Sequence, residues 1–267
     1  MARVIAISNQ KGGVGKTTTS VNLSASFAAI KQRTCLIDLD PQGNATMGSG
    51  CEKQTLTATM NDVLMLEKNL SDVLIKTEAK YDLAPANQDL TEAEVNLLQQ
   101  SDREQRLRQM LAPIRDGYDY ILIDCPPSLS MLTLNALVAA DSVLIPMQCE
   151  YYALEGLAGL IDTIKQVQQS VNPSLEIEGI LRTMYDGRSR LSSLVSKQLL
   201  THFDDKVYRT VIPRNVRLAE APSFGQPALL YDRLSQGASA YLVLASEIVR
   251  RYEPITAAAT LVTEAEQ

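Results

Sequence analysis

Gln10-Lys11-Gly12-Gly13-Val14-Gly15-Lys16-Thr17-Thr18 lies between the apolar run Val4–Ile7 and a segment of helical period over about 17–30. A glycine-rich loop that leaves a strand and opens a helix is the setting in which such a loop means phosphate binding. Glycines let successive backbone N–H groups converge on an anion, and the helix N-terminus adds a favourable dipole. In that reading Lys16 reaches the β- and γ-phosphates and the Thr17 hydroxyl ligates Mg²⁺. The bland alternative is a glycine-rich turn with a solvated Lys16, which needs no strand or helix around it.

Outward from this loop, short apolar runs recur at Val4–Ile7, Cys35–Ile37, Tyr120–Ile123, Val143–Ile145 and Ile177–Leu181. Most are continuous rather than alternating, as strands covered on both faces should be. Helical patterns fill the intervals at about 17–30, 91–99, 102–112, 131–139, 152–170, 189–202 and 235–251. Strands alternating with helices predict an α/β fold, a mostly parallel sheet with helices on both faces, of the P-loop NTPase type. A single domain over 1–253 is expected, followed by a flexible tail over 254–267. Residues 51–79 carry no readable pattern.

Two of the runs end in carboxylates. Leu36-Ile37-Asp38-Leu39-Asp40-Pro41-Gln42-Gly43-Asn44 carries Asp38 and Asp40 where a buried strand enters a loop. Ligands of open parallel sheets bind at the carboxyl ends of strands, so these acids face the phosphate loop; solvated loop acids are the plainer reading. Asp119-Tyr120-Ile121-Leu122-Ile123-Asp124-Cys125-Pro126-Pro127 reads as a Walker B element, with Asp124 holding Mg²⁺ through water. Pro126-Pro127 then stops the strand.

Composition bounds the rest. With 267 residues, 45% hydrophobic and 21% charged, the chain has the make-up of an ordinary globular protein. Its formal charge of −6 repels nucleic acid overall, so any DNA contact must be local. Such a patch is visible in the window 182–217, where eight cations face three anions. The local excess is +5, leaving −11 for the remainder. Cys35, Cys51, Cys125 and Cys149 form no CxxC pair, and the N-terminal apolar run is too short for a signal peptide, so reduced thiols in a cytoplasmic protein are expected. No apolar stretch is long enough to span a membrane. His202, the only histidine, lies late on a polar helix and reads as a surface residue.

The loop departs from GxxxxGK[ST], because Gln10 stands where the first glycine belongs and Lys11 precedes Gly12-Gly13. This KGGVGKT form is the deviant Walker A, and it resembles that of the ParA/MinD group of ATPases. Asp38–Asn44, Pro126–Ser130 with Thr133–Leu137, Glu150–Gly156, Thr183–Arg188 and Val211–Gly225 are similar to the corresponding segments of ParA/Soj partition proteins. The resemblance covers about 3–250. It implies an ATP hydrolase that uses ATP and Mg²⁺ and forms a homodimer with ATP at the interface. It further implies that Lys11 reaches the partner subunit's phosphates, although general phosphate attraction would also account for a lysine there. Asp40 would orient the attacking water and sit with Thr17 and Asp124 at the metal, Asp38 nearby. Adenine would lie against Met184 and Pro213-Arg214-Asn215.

The same resemblance implies non-specific binding of double-stranded DNA, with Arg188 and Arg217 as contacts, release on hydrolysis, stimulation by a ParB-type partner and association with the nucleoid. A solvated face is the alternative for either arginine. Lys31 stands where the family has glycine after the first helix, so a left-handed residue or a different helix ending is expected there. A MinD-like membrane-associated ATPase is the alternative; it wants a basic amphipathic C-terminal helix, and Thr256–Gln267 carries two glutamates and no cation. An iron–sulfur reductase component would need converging cysteines in a glycine-rich setting, which Cys125 and Cys149 lack; both read as packing residues.

Overall fold

The computed structural model describes residues 1–252, so the expected tail over 254–267 falls outside them. Among the described residues eight strands form one sheet: β1 (Arg3–Ile7), β2 (Thr34–Asp38), β3 (Ile75–Lys76), β4 (Asp82–Ala84), β5 (Tyr120–Asp124), β6 (Ser142–Gln148), β7 (Glu176–Tyr185) and β8 (Val207–Pro213). Their spatial order is β3-β4-β2-β5-β1-β6-β7-β8, parallel throughout except for the β3–β4 edge pair. Twelve α-helices accompany them among the described residues: α1 (Lys16–Ala29), α2 (Asn44–Gly48), α3 (Met60–Leu64), α4 (Leu70–Val73), α5 (Leu90–Leu97), α6 (Arg106–Leu111), α7 (Met131–Ala139), α8 (Ala153–Ser170), α9 (Arg190–Phe203), α10 (Val216–Glu220), α11 (Ala228–Tyr231) and α12 (Gln236–Tyr252).

The continuous apolar runs are explained by two cores, one on each face. Val4 and Ala6, Cys35 and Ile37, Ile121 and Ile123, and Val143 and Ile145 belong to the core that includes residues of α6, α7 and α8. Their alternates Ile5, Ile7, Leu36, Leu122 and Leu144 pack with residues of α1 and α12. A period-2 backbone thus sends every residue of these runs into a dry layer. Helix α1 is buried despite its serines, because Ser20, Ser24 and Ser26 each return a hydroxyl to the carbonyl four residues back. It ends as expected from Lys31, which takes a left-handed conformation at φ 66°.

Three strands escape the sequence reading. β3 and β4 are two and three residues long, too short for a pattern, and β8 contains the polar Arg209 and Thr210. The unread stretch 51–79 holds α3, α4 and β3, with α3 opened by a Thr59/Asp62 capping box.

Candidate active site

The phosphate loop leaves the C-terminal end of β1, which sits between β5 and β6 at the centre of the sheet. Asn9 anchors its entry, donating from Nδ2 to the Pro146 carbonyl at 2.8 Å and accepting from the Lys11 amide at 3.0 Å. Gly13 and Gly15 have φ of 73° and 89°, conformations a β-carbon disfavours. The Thr183 hydroxyl donates to the Val14 carbonyl at 2.7 Å and so fastens the loop to the end of β7.

Parallel register decides the acidic cluster. Asp124 of β5 lies level with Ile7 of β1 on one side and with Asp38 of β2 on the other. Two carboxyl groups on neighbouring strands are therefore side by side and fully buried. Burial and then the neighbouring Asp38 push Asp124 up to about 8, against hydrogen bonds from Thr17 and Ser20 that favour its ionised form. Burial likewise raises Asp38 to about 6, opposed by its hydrogen bonds from Thr46 and the Asp40 amide. Asp124 accepts from Thr17 Oγ1 at 2.8 Å and Ser20 Oγ at 2.7 Å. Asp38 is committed elsewhere: both the amide and the hydroxyl of Thr46 reach its Oδ2 at 2.8 Å, which brackets α2 to the sheet. Asp40 accepts from the Gln42 amide at 3.0 Å, a short turn that fixes the carboxylate.

Lys16 is 7% exposed and donates to the Lys11 carbonyl at 3.2 Å. Burial lowers its pKa, while Asp124, Cys125 and Asp40 pull it back up. The ammonium is thus held in a poorly solvated place where an added anion is worth much more than in water.

These groups open onto a cleft of about 550 Å³. Of the residues expected from the sequence, Gly12, Gly13, Gly15, Lys16, Thr17, Thr18, Asp40, Met184, Pro213, Arg214 and Asn215 line it. Met184 does so with φ of 47°, an uncommon state for an unbranched non-glycine residue. Val14 turns its side chain inward, 1% exposed, and Asp124 lies behind Thr17 rather than on the wall. Lys11 points away: its ammonium is 2.6 Å from Glu150 Oε2 at the β6–α8 junction. Gln42, Asn44, Thr183, Leu218 and Tyr241 join the wall without having been foreseen. Tyr241 comes from α12, where its hydroxyl is 3.0 Å from that of Thr19, and no local motif marks it.

Among the described residues no three His, Cys, Asp or Glu side chains are spaced to hold a metal. What the site offers a divalent ion is one hydroxyl beside buried carboxylates short of positive charge. That suits Mg²⁺, which keeps several waters and shares substrate phosphates, better than a cation needing an all-protein cage. Cys35, Cys125 and Cys149 are buried packing residues, with the Cys125 thiol pushed up by burial.

The basic window is less positive in space than along the chain. Arg182 is buried, donating to the Ser196 hydroxyl and to the carbonyls of Tyr208 and Arg209. Arg188 pairs with Asp186 at 3.0 Å, and Arg217 pairs with Glu220 at 2.8 Å and Asp232 at 3.1 Å. The linear count included Asp186 but could not see Glu220 and Asp232, which lie beyond residue 217. His202 is exposed, as expected.

A phosphate-binding loop at the centre of a parallel sheet, with two acidic strand ends beside it, defines a P-loop nucleotide-binding protein. A family model described as an AAA domain matches residues 2–177. An uncharacterized protein of Pseudomonas putida is 64% identical over 94% of this chain and 96% of its own. The chromosome partitioning protein ParA of Myxococcus xanthus is 52% identical, over 95% of this chain and 90% of its own. Among solved structures, cobyrinic acid a,c-diamide synthase from Mycobacterium smegmatis with bound ADP and magnesium superposes with a TM-score of 0.84 at 38% identity, covering 94% of this chain and 96% of that one. The chain belongs to the ParA/Soj family of chromosome partitioning ATPases.

Proposed function

We propose that this chain is a DNA partition ATPase that binds ATP in the 550 Å³ cleft, dimerises on it, and holds DNA until hydrolysis. The observation that carries the reading is the convergence on that one cleft of Lys16, Thr17 and Asp40, with Asp124 directly behind Thr17. Backbone N–H groups from Gly12 to Thr18 cradle the phosphates, and the poorly solvated Lys16 ammonium neutralises them. Met184 and Pro213–Asn215 take the base. Thr17, Asp124 and Asp40 are the residues that would hold magnesium, which would supply neutralisation of charge on the phosphate oxygens. Asp40, fixed by the Gln42 amide, also orients the attacking water. Lys11 leaves Glu150 and delivers its charge across the dimer, where a cation in trans stabilises the transferring group.

Dimerisation doubles whatever basic surface each subunit carries, so DNA affinity is linked to the terminal phosphate. Arg188 and Arg217 contact backbone phosphates without reading sequence, and a ParB-type partner speeds hydrolysis. The test is gel filtration with ADP and then with a non-hydrolysable ATP analogue and Mg²⁺, repeated with duplex DNA. A dimer that forms only with the analogue and retains DNA supports the reading; a monomer at high protein concentration refutes it. Turnover that disappears in Asp40→Ala separates an ATPase from a passive DNA-coating protein.

A further inference from the structure

Resting on that reading, we propose that Gly50 and Gly225 form a backbone joint that couples the phosphate end of the cleft to the segment bearing Arg217. The two glycines sit back to back in left-handed conformations, at φ of 87° and 63°. A β-carbon on Gly225 would lie 3.0 Å from Gly50 Cα, and one on Gly50 would lie 3.0 Å from the Gly225 carbonyl oxygen. Neither position accepts a side chain without displacing the other backbone. This is where two arms of the cleft meet outside it.

The first arm runs from Asp40 through α2 to Gly50. Its start lines the cleft with Asp40, Gln42 and Asn44, and its middle is bracketed to Asp38 through Thr46. Gly43, which opens α2, is itself wedged: a β-carbon there would lie 2.6 Å from the Ala86 carbonyl oxygen. The second arm runs from Pro213 through α10 to Gly225. Its start lines the cleft with Pro213 to Asn215, its middle carries Arg217, and three residues past its end the Ala228 amide donates to Asn22 of α1 at 2.8 Å. A recess of about 340 Å³, lined by Thr18, Asn22, Met47, Pro222 and Gln226, opens between the arms on the α1 side. The backbone contact is therefore the firm part of the junction.

The physical consequence follows from packing. Side chains absorb a small displacement by changing rotamer, but two backbones at van der Waals contact do not. A shift of α2 set by what occupies the phosphate end passes through Gly50 to Gly225 and on to the turn that orients Arg217. The glycines are positioning residues: they touch neither nucleotide nor DNA, and act through α2 and α10. A two-state element biased from both sites is what physical coupling requires.

The experiment measures binding of a random-sequence duplex to Gly50→Ala, Gly225→Ala and the double variant, each with ADP and with a non-hydrolysable ATP analogue. Gly117→Ala, where a β-carbon meets no atom within 4 Å, is the control. Expected is a fall of about tenfold or more in the analogue-to-ADP ratio of DNA affinities, with analogue binding close to wild type and the double variant no worse than the poorer single. An unchanged ratio in folded variants overturns the joint. If the alanines prevent folding, amide exchange on the wild type decides: residues 44–50 and 216–226 must change protection together between the two nucleotides, and a change confined to 44–50 overturns the proposal. A wild type that shows no nucleotide-dependent DNA retention would instead remove the partition reading itself, so the two failures are distinct.

Discussion

Glu150→Gln should tighten the ATP-bound dimer. Lys11 can serve a partner subunit only after leaving Glu150, to which it is bound at 2.6 Å. The two side chains are 41% and 45% exposed, so the pair is solvent-screened and worth about 0.2–1 kcal/mol. On the proposed reading one such pair would be broken in each subunit on dimerisation, a cost of about 0.4–2 kcal/mol per dimer. Glutamine keeps the shape and removes the charge, so the dimer dissociation constant should fall by about 2- to 30-fold. Sedimentation equilibrium with a non-hydrolysable analogue measures this directly. The gap between wild type and variant should narrow as salt rises, because an exposed pair is already weakened there. In a Lys11→Ala background Glu150→Gln should then do nothing, since no lysine remains to release. A dissociation constant that rises, or a gap that persists in the Lys11→Ala background, refutes the idea that Glu150 holds Lys11 back.

Three more expectations are quickly checked. Asp124→Asn leaves Thr17 and Ser20 a neutral partner and should lower turnover on the order of 10²-fold or more, with metal-free nucleotide binding retained; steady-state kinetics and calorimetry separate the two. Gly15→Ala must hold φ at 89°, a strain of about 1–2 kcal/mol, and should weaken nucleotide binding by about 5- to 30-fold in a calorimetric titration. Arg33→Met removes the side-chain bonds to Asp119 and should lower stability slightly at neutral pH. Arg33 holds Asp119 below its ordinary pKa, so this stabilisation is complete above about pH 4 and disappears as pH falls through the lowered value. Thermal melts of both proteins should converge in acid, and a gap that widens there would count against the assignment.

How much of this was readable in the chain depended on whether the cause was local. The phosphate loop was legible because glycines, a lysine and a threonine must follow one another for backbone amides to converge, and the central strands because both faces are dry. Lys31 was flagged as left-handed, or as a different helix ending, only because it stands where the resembling family has glycine. The Asp38–Asp124 neighbourhood depended on parallel register between strands 86 residues apart, which no local pattern encodes. Tyr241 reached the cleft through helix packing, and Lys11 found Glu150 across 139 residues. The basic window is thinner in space than along the chain, because counting along the chain assumed that sequence neighbours share a surface. Folding instead buried Arg182 and brought Asp232 to Arg217.

Those ion pairs bear on how an acidic chain of net charge −6 could hold DNA at all. Arg188 and Arg217 are each already satisfied by carboxylates, so neither offers a naked charge to a passing phosphate. Binding would exchange an intramolecular anion for a nucleic-acid one, and for exposed pairs that exchange is nearly balanced. A single subunit therefore gains little from one or two such exchanges. The gain becomes appreciable when several are made at once on a rigid body, because the second and later contacts are intramolecular. On the proposed reading, weak, self-neutralised arginines on a subunit that dimerises with nucleotide would suit a switch: strong individual cations would bind DNA in every state, whereas these would release it when the assembly that presents them together comes apart.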